Sequence, residues 1–134
     1  MKIKQVSEVL PIVSVALLLA NCATTSNPGS WPETKVYGQW GRGSENCIDV
    51  ISLKSNHTCS ETITTWFGAP KSILGHWEFR EGKVYVHASR KEEQIAFVPM
   101  EIRQFKGRLV LYPLYPGEVI RDINVCYQYQ GRAD

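Results

Sequence analysis

Residues 75–88 read GHWEFREGKVYVHA, running from Gly75 to Ala88, and this stretch decides the fold class. Glu81-Gly82 sits between two runs of aromatic and β-branched residues, and glycine supplies the positive φ that a tight hairpin needs. Beyond the turn, Val84, Val86 and Ala88 share one face while Lys83, Tyr85, His87 and Ser89 share the other. That two-residue period is the mark of a strand with one dry and one wet side. The stretch predicts a β-hairpin.

Outward from it, short β-like runs follow one another, and none sustains a 3.6-residue period for three turns. The expected strands are Val36 to Gly41, Cys47 to Leu53, Thr58 to Thr65, Ser72 to Arg80, Lys83 to Ser89, Ile95 to Phe105, Arg108 to Tyr115 and Ile123 to Tyr129. Lys106-Gly107 marks a second tight turn and Lys54 to His57 a looser one. Ala96, Val98, Met100 and Ile102 form one expected inward set. Ile123, Val125, Tyr127 and Tyr129 form another, opposite Asn124, Cys126, Gln128 and Gln130. Eight successive strands without a crossover helix predict an all-β domain, a small antiparallel up-and-down barrel or strongly curled meander, because closure removes exposed edges.

A short repeat refines this expectation. Gly38-Gln-Trp40 opens the first strand and Gly75-His-Trp77 opens the hairpin. In a barrel, glycine permits close backbone approach, and a Trp two residues later closes one end of the core. Over roughly Tyr37 to Ala88 the chain resembles the small lipocalin-like, or calycin-like, domains of many bacterial lipoproteins. The resemblance implies a barrel and a cup in which Trp40 and Trp77 are the candidate ligand-binding residues; it names no ligand.

The N-terminus carries an address. Lys2 and Lys4 precede Ile12 to Ala20, an apolar run interrupted by Ser14. A membrane span wants about 20 apolar residues, so this shorter run reads as a signal-peptide core. Leu19-Ala20-Asn21-Cys22 then resembles the lipobox of bacterial lipoproteins, with Asn21 where Gly, Ala or Ser is usual. The resemblance implies cleavage before Cys22 and acylation of its thiol, and several acyl chains together anchor durably. Ala23 is not the aspartate associated with inner-membrane retention, which favours the outer membrane. The expected organisation is a signal peptide at 1–21, a lipidated tether rich in Ser, Thr and Pro at 22–34, and one β domain at 35–134.

Composition limits the partners. The chain has 15 Lys+Arg and 13 Asp+Glu, and setting aside Lys2, Lys4 and Glu8 leaves a near-neutral domain with no stretch suited to nucleic acid. Cys47, Cys59 and Cys126 would reach an oxidising compartment. Closure of the barrel brings the last strand beside the first, so Cys47 with Cys126 is the first disulfide candidate, Cys59 with Cys126 the second, and Cys47 with Cys59 or no bridge the remainder.

Catalytic patterns are missing from the sequence. His57, His76 and His87 lack the spacing of a metal site, and there is no nucleophile elbow or phosphate loop. No catalytic residue, metal or cofactor is expected. The leading expectation is a non-enzymatic module held by its lipid and binding an envelope protein or the cell wall through exposed aromatics such as Trp66-Phe67, Tyr112 and Tyr115. The alternative is a lipocalin-like carrier of a small apolar ligand, with Trp40, Trp77, Val86, Val98 and Met100 lining the cup.

Overall fold

The computed structural model describes residues 31–133. The expectations for segment 1–21, Cys22 and the first part of the tether lie outside the described residues. Eight strands follow in order: β1 (Gly38–Ser44), β2 (Cys47–Leu53), β3 (Thr58–Thr65), β4 (Lys71–Arg80), β5 (Lys83–Ala88), β6 (Met100–Phe105), β7 (Arg108–Pro113) and β8 (Tyr127–Gly131). Each pairs antiparallel with the next, and β8 returns to β1, so the sheet closes as an up-and-down barrel.

Turn chemistry sets the register. Glu81 and Gly82 have φ of 53° and 74°, and Lys106 and Gly107 have 49° and 76°; two central residues at positive φ are the geometry that matches the strand twist. Both Gly-x-Trp glycines sit where a side chain would collide. Gly38 has a φ of 150° and faces Tyr129 and the Gly131 carbonyl, while Gly75 lies against the His87 carbonyl and Cys59 Sγ. Two residues on, Trp40 Nε1 donates to the Val36 carbonyl at 2.8 Å and Trp77 Nε1 to the Lys54 carbonyl at 2.9 Å. Each indole is buried in the barrel while its polar atom ties down a connection at the rim.

Three expected strands begin later than the sequence suggests. Ala96 adopts a φ of 44° and Pro99 offers no amide, so the ladder of β6 begins at Met100 rather than Ile95. Asp122 accepts from the Asn124 amide at 2.9 Å and caps a single 3-10 turn at Ile123–Val125, which delays β8 to Tyr127. Val36 ends another such turn, Glu33–Lys35, and β1 starts at Gly38. The inward set expected for the last strand reduces to Tyr127, since Val125 and Tyr129 are exposed and Cys126 is buried on the opposite face.

The barrel has two ends of different character. At the proximal end lie the incoming segment 31–37, the turns at 54–57, 81–82 and 106–107, and residues 131–133; Trp31 packs against the core there. At the distal end lie the connections 45–46, 66–70, 89–99 and 114–126. The interior is filled by Trp40, Trp77, Tyr127, Ile51, Leu53 and Met100, all fully buried. A second cluster, Val110, Tyr112, Ile120 and Cys126, lies on the outer face of β7 under segment 114–126, with the Tyr112 hydroxyl accepting from the Ile120 amide at 2.8 Å.

Candidate functional site

Apolar side chains left in water mark a protein surface more sharply than buried ones. Trp66 and Phe67, in the β3–β4 connection, are 75% and 98% exposed, and Phe97 in the β5–β6 connection is 72% exposed. Ile48 beside the β1–β2 turn and Val119 and Val125 in the β7–β8 connection are exposed too. All six belong to the distal end. The sequence singled out Trp66-Phe67 for this role. Tyr112, named with them, is instead buried against Ile120, and Tyr115 packs partly buried on the same cluster.

Beneath this end the barrel holds a polar group that the sequence reading did not single out. Asp49 on β2 and Glu61 on β3 are only 7% and 4% exposed. Arg42 on β1 donates through Nε to Asp49 Oδ2 at 2.9 Å and lies over the Tyr127 ring at 4.3 Å. The Tyr127 hydroxyl donates to the same Oδ2 at 2.8 Å, with Glu61 Oε1 at 3.4 Å. Burial first, and then the neighbouring Asp49 carboxylate, raise the Glu61 carboxyl to about 7. The same two causes in the same order push the Tyr127 phenol far above its ordinary range. Asp49 Oδ1 is buried with no hydrogen-bond partner. Glu61 lies within side-chain hydrogen-bonding reach of Asp49, and a proton held on it gives that carboxyl pair a donor.

One signal for this group was in the sequence. Asp49 shares parity with Ile51 and Leu53, and Glu61 with Cys59 and Ile63, so both carboxyls stand at inward positions among apolar neighbours. Arg42 stands opposite Asp49 in the β1–β2 ladder, and Tyr127 joins them only through the β1–β8 closure.

The candidate ligand residues Trp40 and Trp77 are core residues and line no open cup. Between Arg42, Tyr127, Met100 and Val98 the remaining space is about 10 Å³. A hollow of about 580 Å³ does open at the proximal end, between Lys35, Tyr37, Leu109, Tyr129 and Arg132, and reaches neither tryptophan. A groove of about 390 Å³ runs along β5 beneath segment 90–99, where Val86 and Val98 meet Arg90 and Lys91 at the solvent boundary.

The expected disulfide does not form: Cys47, Cys59 and Cys126 are all free. Barrel closure puts β1 between β2 and β8, and two strand spacings amount to about 9.5 Å, beyond the roughly 7 Å Cα limit for a bridge. The faces differ as well. Cys47 and Cys59 share the inward parity of their strands, whereas Cys126 belongs to the outer cluster with Val110 and Tyr112. Cys59 is paired with Leu53, six residues along β2 from Cys47. Burial raises the Cys59 and Cys126 thiols to about 11.

The three histidines separate into two settings. His57 contacts Glu33 and meets the Trp77 ring edge-on at 4.8 Å, whereas His76 and His87 are brought together on the outer wall. No group of three or more His, Cys, Asp or Glu side chains placed to hold a metal occurs among the described residues. No helix among them is long and apolar enough to cross a membrane.

Compared with protein-family models, with curated proteins and with solved structures, the chain matches none.

Proposed function

We propose that this chain is an envelope lipoprotein, acylated on Cys22 and held on the outer membrane, whose barrel is a non-enzymatic binding module for an envelope protein or the cell wall. The observation that carries the reading is the placement of Trp66, Phe67 and Phe97 at the end opposite to the one where the tether joins. A lipid at Cys22 would hold the proximal end toward its membrane and present the apolar end away from it. Large aromatic anchors of this kind dominate the energetics of protein interfaces.

The filled interior favours this reading over a carrier. The proximal hollow is the feature a small apolar ligand would use, but Thr34, Lys35, Ser55 and Arg132 make much of its lining polar. The lipocalin-like carrier is therefore the second reading.

The test uses the full chain in a bacterial host with a photo-crosslinking residue in place of Phe67 or, beside the proximal turn at 106–107, of the exposed Gln104. Adducts with an envelope protein or with peptidoglycan at position 67 and not at 104 are expected, along with fatty-acid labelling that Cys22→Ser removes. Label retained by Cys22→Ser defeats the lipoprotein reading. Equal adducts from both positions, or none from 67, defeat the distal docking surface.

A further inference from the structure

Two histidines that lie eleven positions apart in sequence meet on the barrel wall. The two-residue turn at Glu81-Gly82 pairs Arg80 with Lys83, and the ladder then runs without a slip through Glu78 with Tyr85 and Trp77 with Val86 to His76 directly opposite His87. Trp77 and Val86 point into the barrel, so strand alternation turns His76 and His87 outward, where both are exposed. Their rings are stacked, with centroids 5.2 Å apart and planes 29° from parallel.

We propose that His76 and His87 form a two-imidazole site for a divalent d-block cation, with Cu²⁺ bound most tightly. Metal–imidazole bonds of about 2.0–2.1 Å require the two ligating nitrogens to come within roughly 3 Å of each other. Directly opposed residues of an antiparallel pair have Cβ atoms about 4.5–5.5 Å apart. Rotation about the side-chain torsions of two solvent-facing rings is then enough to converge them, while the hairpin holds the backbone in place. Imidazole nitrogen suits Cu²⁺ and Zn²⁺, and stability rises along the first-row series to Cu²⁺.

The surroundings define what kind of site this is. The next outward pair along the ladder is Glu78 with Tyr85, and Glu78 is engaged by Arg80 at 3.2 Å. With two protein ligands, the remaining coordination positions belong to water or to a group from a docked molecule. Such a site is open and exchangeable, unlike a closed structural centre. Only the neutral imidazole binds metal, so occupancy is lost in acid.

The experiment titrates Cu²⁺ alone into the full chain in detergent, with Cys22→Ser and Cys47→Ser so that these thiols do not reduce the metal, and follows binding by electron paramagnetic resonance. One equivalent with coupling to two nitrogens is expected. His76→Ala and His87→Ala should each weaken it at least tenfold, while His57→Ala leaves it unchanged. Circular dichroism should be the same for all, because these side chains are exposed. Undiminished binding in His76→Ala or in His87→Ala overturns the proposal, as does a comparable loss in His57→Ala.

Discussion

Asp49 and Glu61 stand diagonally across the β2–β3 ladder, Asp49 opposite Ile63 and Glu61 opposite Ile51, with both carboxyls turned into the barrel. The groups facing Glu61 are Asp49, Arg42, Tyr127 and the Cys59 thiol. One arginine balances one carboxylate, so the second carboxyl is favoured as a neutral acid.

Stability should therefore decline with rising pH. Glu61 in the folded chain is raised to about 7 from an ordinary 4.5, so between these values the native state keeps a proton that the unfolded chain releases. The contribution is complete below about pH 4.5 and is lost as pH rises through 7. Urea unfolding at pH 5 and pH 8 should show the wild type less stable at pH 8, with the difference reduced in Glu61→Gln. A wild type equally stable at both values would show that Glu61 is ionised throughout.

Gly75→Ala is expected to cost about 1–3 kcal/mol, the usual range for overpacking, because the added methyl runs into the His87 backbone carbonyl. Gly68→Ala meets only the Thr65 hydroxyl at 3.3 Å and should leave the melting temperature nearly unchanged. The comparison by thermal melts fails if the two variants behave alike.

Trp77→Ala removes a fully buried indole and its hydrogen bond to Lys54, and a loss of roughly 3–5 kcal/mol is expected. Trp66→Ala, at the exposed tip, should change stability by less than about 0.5 kcal/mol. Chemical denaturation of both separates aromatics that hold the fold from those free to bind a partner. Comparable losses would place Trp66 in the core.

Thiol titration checks the cysteine assignment. In a chain carrying Cys22→Ser, three thiols should react in denaturant without prior reduction. In the folded protein Cys47 should react first, because Cys59 and Cys126 are buried and their thiols are raised to about 11. Fewer than three thiols in non-reducing denaturant would restore a disulfide.

Local chemistry carried most of the fold into the sequence. β2 and β3 fall where the alternation put them, and the Glu81-Gly82 and Lys106-Gly107 turns fix their hairpins because two residues suffice to set a register. The failures have non-local causes. Residues 95–99 look like a strand, yet segment 89–99 bends so that Ile95 packs into the core, a contact no window of sequence contains. The disulfide candidates with Cys126 failed because barrel order alone says nothing about which face of the wall a thiol occupies. The contacts of Tyr127 with Arg42 and Asp49 depend on closure of β1 with β8, whose register shifts between Gln39 and Trp40.

An even number of up-and-down strands also governs where the chain tolerates change. Residues 31–37 and 131–133 leave from the same end, together with the connections 54–57, 81–82 and 106–107, while segments 89–99 and 114–126 belong to the other. Length added to a distal connection lets that end diversify without shifting the rim at which Trp40 and Trp77 are tied. A reporter fused after residue 133 would crowd the proximal end. One inserted near Gly68 would stand clear of it, beside the exposed Trp66 and Phe67.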